Sequence, residues 1–377
     1  MRALALMCWL AGTAGCLHAI PPLPSQGGPA WHELVSPHFT MWTDASEDRG
    51  RALLVRMEHH RQRVLRVLGD PPTTGSIFVI ALRDQPEINA FIPVQFAAEA
   101  FDATNPSRQS AIVVAADIGE NPEHDRILTH ELTHAITFTF LPHQPHWLAE
   151  GLADYFATIR VFPSHDGFDL GTPIRERVRD LAAMRPLPLA QLMACPGGAC
   201  MDARFYATAY ALFTFLITTH RAELFALLDK LPDGSTAPIL ALEPEFLQWI
   251  AYGQVAVSQF DLRLVDPTVT AGRALTDADA LAARALLDQG RGPELAQAIA
   301  KDPTNLLARL VQIATGAPGP LSAADARATA AAHADDWRAW YLVVRVAPGD
   351  RDAREHMCAR SPADREIQEY CAAARGR

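Results

Sequence analysis

The stretch "ILTHELTHAITF" (127–138) decides how this chain is read, and everything around it has to explain why it is there. Asn121 can cap a helix ahead of it, Pro122 suits the first helical position, and Glu123 and Asp125 sit where the helix dipole favours acids. Leu141-Pro142 closes that helix, because the residue before a proline is pushed out of the helical region. On such a helix, residues four apart lie above one another. His130 and His134 therefore present their imidazoles to one side, with Glu131 next to that face. Two histidines and a glutamate can share a helix by accident, so the rest of the chain must supply what a metal site needs.

A tetrahedral zinc site accepts neutral imidazole nitrogens at about 2.0–2.1 Å, and a catalytic one needs a third protein ligand beside an open fourth position. "PHWLAEGLADYFA" (145–157) offers Glu150, sixteen residues after His134 and early in the next helix, with Asp154 one turn further on. An aspartate there can accept the free N–H of a ligating histidine, which fixes the tautomer and the ring direction. Glu131 can take a proton from an attacking water.

HExxH followed by W-x-x-E-G-x-A-D resembles the gluzincin clan of zinc metallopeptidases, the thermolysin-like peptidase-MA superfamily. It is similar to the small bacterial families in which P-x-W-L-x-E-G-L-A-[DE]-Y closes the site. The likeness spans residues 36 to about 230, specific at the two motifs and loose elsewhere. It implies an α+β fold: a thermolysin-like zincin domain with a mixed sheet and active-site helices. It implies one Zn2+ held by His130, His134 and Glu150, Glu131 as general base and then acid, Asp154 orienting a histidine, and a peptide or protein substrate. Related enzymes stabilise the oxyanion from a later helix, where Tyr206 and Tyr210 are the candidates and His220 ranks behind them. The spacing from histidine to glutamate is shorter than in thermolysin. The metzincin pattern does not fit, since Thr137 and Phe140 stand where it needs a glycine and a third histidine.

Upstream, "HFTMWTD" (38–44) alternates as a strand does. "SEDRGRALLVRMEHHRQRVLRVLG" (46–69) is an amphipathic helix with Ser46 at its N-cap and Gly69 at its end. "SIFVIALRD" (76–84) and "SAIVVAAD" (110–117) are two further strands, the second expected at the sheet edge, where an extended substrate can pair around Val114 to Ala116. "FYATAYALFTFLITTHRAELFALLDKL" (205–231) is expected as one core helix, its apolar part too short to span a bilayer. His59 and His60 read as solvated, and His143 and His146 as loop residues outside the site.

A formal charge of −10 argues against a nucleic-acid partner, which needs a basic face. Arg2 and the short apolar run Ala3 to Gly15 resemble an export signal, with lipidation at Cys16 (a lipobox-like Thr13-Ala14-Gly15-Cys16) and plain cleavage after Ala19 as the two outcomes. The expected location is outside the cytoplasm of a bacterium, periplasmic, outer-membrane lipoprotein or secreted, with a lipid anchor as the sole membrane contact. Cys195 with Cys200, and Cys358 with Cys371, form two local pairs suited to disulfides in an oxidising compartment. The expected organisation is a signal (1–19), a Pro/Gly tether (20–32), a metallopeptidase domain (33–250), a linker (251–271) and an all-α region (272–377). That last region is similar to tetratricopeptide-type repeats, with a 32-residue offset between Asp302 and Ala334, and is a candidate surface for a protein partner. The competing function is a non-catalytic zinc-domain scaffold that presents these helices to a partner.

Overall fold

The structure is a computed structural model that describes residues 20–69, 76–91, 98–101, 111–118, 122–138, 141, 144–162, 164, 166–230, 237–252, 257–360 and 371–372. The signal region with Cys16, the cap at Asn121, Phe140 and His143 lie outside the described residues. The first half runs β1 (His32–Val35), β2 (Phe39–Thr43), α1 (Glu47–Leu68), β3 (Ile77–Leu82), α2 (Gln85–Phe91), β4 (Ala98–Phe101), β5 (Ala111–Ala115), α3 (Pro122–Phe138) and α4 (His146–Phe156). There follow β6 (Arg160–Val161), β7 (Gly167–Leu170), α5 (Arg175–Met184), α6 (Leu189–Met193), α7 (Ala203–Thr219), α8 (Arg221–Lys230), α9 (Ala237–Leu240), α10 (Glu243–Tyr252), β8 (Ser258–Asp261) and β9 (Thr270–Ala274). Six helices follow among the described residues: α11 (Asp277–Leu287), α12 (Glu294–Lys301), α13 (Leu306–Thr315), α14 (Ala323–Ala332), α15 (Trp337–Val346) and α16 (Arg351–Arg360). The class is α+β, with sixteen α-helices and a mixed sheet among the described residues.

That sheet has the order β4-β5-β3-β2-β1-β9. β2, β3 and β5 run parallel, while β4, β1 and β9 are antiparallel to their neighbours. The central parallel strands β3 and β5 are apolar at every position, because both faces are covered. Strand alternation sends Phe39, Met41, Ile77, Val79, Ala81, Ile112 and Val114 to one face, against α1, α3, α4 and α7. Trp42, Phe78, Ile80, Leu82, Val113 and Ala115 go to the other, against Leu281, Leu286, Leu295, Leu307 and Val311 of α11 to α13. A third core ties α13 to α14, α15 and α16. β6, β7 and β8 form a separate small sheet.

Several expectations change. "SAIVVAAD" is not the sheet edge: β5 is flanked by β3 and β4, and β4 holds the edge position. The pairing of β4 on β5 spans residues of low sequence signal, so the alternation of β5 alone could not reveal it. The stretch 251–271 is not a linker. It carries β8 and the start of β9, and β9 pairs with β1. The stretch 20–32 is not a free tether, since Leu23 and Trp31 are buried in the second core and Ser25 bonds Asp277 at the start of α11. The apolar run 205–231 is two helices bent by 113° at His220. There Thr218 and Thr219 turn their hydroxyls back onto the carbonyls of Thr214 and Phe215, and His220 is held by Glu245 at 3.0 Å. Among the described residues no single helix is long and apolar enough to cross a membrane. Both cysteine pairs are disulfides, Cys195–Cys200 and Cys358–Cys371, with Cα separations of 5.9 and 5.8 Å.

Candidate metal centre

Two helices build the site, and each is fixed by its buried side. Leu128, Leu132, Ala135 and Ile136 seat α3 in the first core. From α1, His60 reaches the hydroxyl of Thr133 at 3.2 Å, behind the face that carries His130 and His134. His60 is buried rather than solvated; burial, with Arg63 and Arg56 nearby, pushes its imidazole down to about 3, so it stays neutral. Trp147, Leu148, Leu152 and Phe156 seat α4 in the same core.

Gly151 sets how close α4 lies to α7. A methyl group at that position would run into the backbone carbonyl of Ala209 and come to 2.9 Å of Phe213 Cβ. Only glycine permits this approach, and Glu150 is its immediate neighbour on α4.

The three donor atoms form a nearly equilateral triangle. His130 Nε2 lies 3.1 Å from His134 Nε2 and 3.3 Å from Glu150 Oε2, and His134 Nε2 lies 3.6 Å from the same oxygen. Ligands about 2.0–2.1 Å from a tetrahedral zinc stand about 3.3 Å apart, so these edges match one face of that coordination shell. The group His130, His134 and Glu150 can hold a metal ion. Its electrostatics are those of a cation site. Burial alone would push the Glu150 carboxyl up, but bonds to His130 and His134 hold it well below the usual carboxylate range. Burial likewise opposes charge on His130, and the bonds to Asp154 and Glu150 overcome it and raise its imidazole well above the ordinary value.

The two histidines are oriented differently. His130 Nδ1 donates to Asp154 Oδ1 at 3.1 Å, which leaves Nε2 facing the triangle. His134 stacks on Phe138, with ring centroids 5.5 Å apart, and its Nδ1 has no hydrogen-bond partner among the described residues. Asp154 is almost completely buried and is held in turn by Arg177 of α5, whose Nε donates to Oδ2 at 2.6 Å and Nη2 to Oδ1 at 3.4 Å. Burial works against the Asp154 carboxylate, and His130 and Arg177 together hold it low.

Glu131 follows His130 on α3, partly exposed, and its charge reaches both His130 and Tyr206. The two tyrosines separate. Tyr206 is half-buried beneath Arg177, whose guanidinium carbon sits 5.0 Å from the ring centroid. Burial, then the neighbouring Glu150 carboxylate, pushes its phenol up to about 12, so it remains an O–H donor. Tyr210, one turn on, is 3% exposed and lies inside the core. His220 is engaged with Glu245 and Glu223, and His146 packs its ring over Gly197.

Arg177 is the site residue that sequence reasoning missed. It lies 23 residues past Asp154 on a helix without a fully buried residue, and no motif marks it. No family model matches this chain, and a search of curated proteins returns no match.

Proposed function

We propose that the chain is an exported, gluzincin-like zinc metallopeptidase that hydrolyses peptide bonds. The observation that supports it most is the donor triangle of His130, His134 and Glu150 with Glu131 beside it on α3. A structural zinc site has no use for a carboxylate base at that position. A zinc ion held there supplies a Lewis acid that polarises a carbonyl and lowers the pKa of water toward about 7. Glu131 accepts the proton of the attacking water and delivers it to the departing amine. Asp154 keeps the Nδ1 proton on His130, so that Nε2 stays a lone-pair donor. Tyr206 is the oxyanion donor of choice over Tyr210, because its protonated phenol stands beside Glu150 while Tyr210 is enclosed. The two disulfides support an oxidising compartment, hence export. The proposal gives the domain that carries the metal centre a thermolysin-like layout and the C-terminal helices a tetratricopeptide-like one, with a protein partner as the ligand of those helices.

The deciding experiment is digestion of a peptide library by the mature chain, beside a Glu131→Gln variant and a chelated control. Cleavage by the parent alone is expected. Undiminished cleavage by Glu131→Gln overturns the role of that residue, and cleavage that survives chelation overturns the metal. His134→Ala should lower bound zinc to well below one per chain.

A further inference from the structure

Arg177 touches two things that the mechanism otherwise treats as separate. Its Nε and Nη2 engage both oxygens of Asp154, whose other partner is the Nδ1 proton of His130. The same guanidinium lies over the ring of Tyr206, its carbon 5.0 Å from the centroid. The side chain is only 20% exposed, although α5 itself is a surface helix with no fully buried residue. Leu181 of α5 packs on the first core, so the helix has an anchor of its own. The arginine is therefore not needed to hold α5 down. It spans from the carboxylate that aims the His130 imidazole to the phenol proposed above as the oxyanion donor.

We propose that Arg177 is a positioning residue that ties the orientation of His130 to the placement of Tyr206, so that the metal-holding and oxyanion-facing sides of the site are set together. This rests on the metallopeptidase reading above. Forked bonding and ring stacking are both properties of a planar guanidinium. Lysine has a point charge and can reproduce at most one of them. Loss of the fork frees Asp154 to turn from His130, and loss of the stack frees the Tyr206 ring to leave its position.

The test uses the full mature chain and four variants: Arg177→Met, Arg177→Lys, Tyr206→Phe and Arg177→Met with Tyr206→Phe. Zinc affinity is read by competition with a chromogenic chelator, and kcat and KM by hydrolysis of a peptide taken from the library digestion. Arg177→Met should weaken zinc binding by about 10–100-fold. At saturating zinc its kcat should fall by about tenfold or more, with KM within about threefold of the parent. Arg177→Lys should recover most of the zinc affinity and little of the kcat. Adding Arg177→Met to Tyr206→Phe should lower kcat by no more than about twofold, because both act through one group. If Arg177→Met does not fold, as read by its metal-free melting curve, Arg177→Lys alone decides through the split between recovered affinity and lost kcat. Parent-like zinc affinity in Arg177→Met, or fully multiplied losses in the double variant, overturns the proposal. A parent that binds no zinc overturns the metal site and this inference with it. A parent that binds zinc without cleaving peptides overturns the peptidase reading alone, and the affinity comparison then decides this one.

Discussion

Asp154 shows how much a single buried carboxylate can carry. It is 1% exposed, receives His130 Nδ1 on Oδ1 and Arg177 on both oxygens, and has no water-facing role. Asp154→Asn keeps the shape but puts an N–H or a neutral oxygen where the imidazole proton needs an anion. Zinc affinity should fall by about 10–100-fold, and the metal-free melting temperature should fall too because Arg177 loses its buried counter-ion, checked by chelator competition and calorimetry. That His130 and His134 share one helix face, and Glu150 and Asp154 another, could be read from spacing, because a helix turns fixed offsets into a common face. Arg177 could not, since its contact is made between helices joined by an irregular hairpin and no local periodicity encodes that distance. Tyr206 and Tyr210 were equal in sequence, and only their burial separates them.

Glu87 offers a second residue whose chemistry is set by enclosure. It faces Asp44 at the end of β2 and the buried Arg284 of α11, 4.0 Å away, and burial followed by the Asp44 charge pushes its carboxyl up to about 8. A carboxyl whose folded pKa lies above its unfolded value binds its proton more tightly when folded. Its contribution is full below about pH 4.5 and is lost as pH rises through about 8. The parent should therefore unfold at lower urea at pH 8.5 than at pH 5.5. Glu87→Gln, which cannot ionise, should reduce that difference.

Among the elements, α4 is held tightly from two sides. It carries Glu150 on one side and passes α7 at Gly151 so closely that no side chain fits between. Gly151→Ala forces the helices apart. The cost expected is about 1–3 kcal/mol of stability, with a loss of zinc affinity beyond what that destabilisation explains. Denaturant unfolding of the metal-free chain, set beside its zinc titration, measures both. The glycine is visible in the sequence, but its reason is not, because it lies in the partner helix 58 residues away. The same limit explains β1 and β9. Each is short and reads weakly alone; β9 becomes a strand through β1, which itself pairs with β2 on its other side.

At the scale of the molecule, α11 to α13 are a wall of the fold. They cover Trp42, Phe78, Ile80, Leu82 and Val113, which a sheet bounded at residue 250 would leave in water. The shift to alanine-rich helices after residue 272 suggests a separate appendix, because composition marks a change of layer as strongly as a change of domain. A chain ending at residue 276 should be insoluble or fail to melt cooperatively. One ending at Gly316, after α13, should fold and keep its zinc. Solubility and calorimetry distinguish the two.

The pairing of β9 with β1 joins Ala274 to His32, so the central sheet has one of its margins built from nearly opposite parts of the chain. Such long-range pairing slows folding, since the intervening loop must close before the contact is rewarded. It also fixes an order of events. A growing chain can neither finish its sheet nor cover the second face until β9 and α11 to α13 have arrived, so it is exposed to proteolysis before its His130, His134 and Glu150 sit in an assembled fold. Maturation is in effect timed by chain length, with β9 and the helices after it acting as the last stitch.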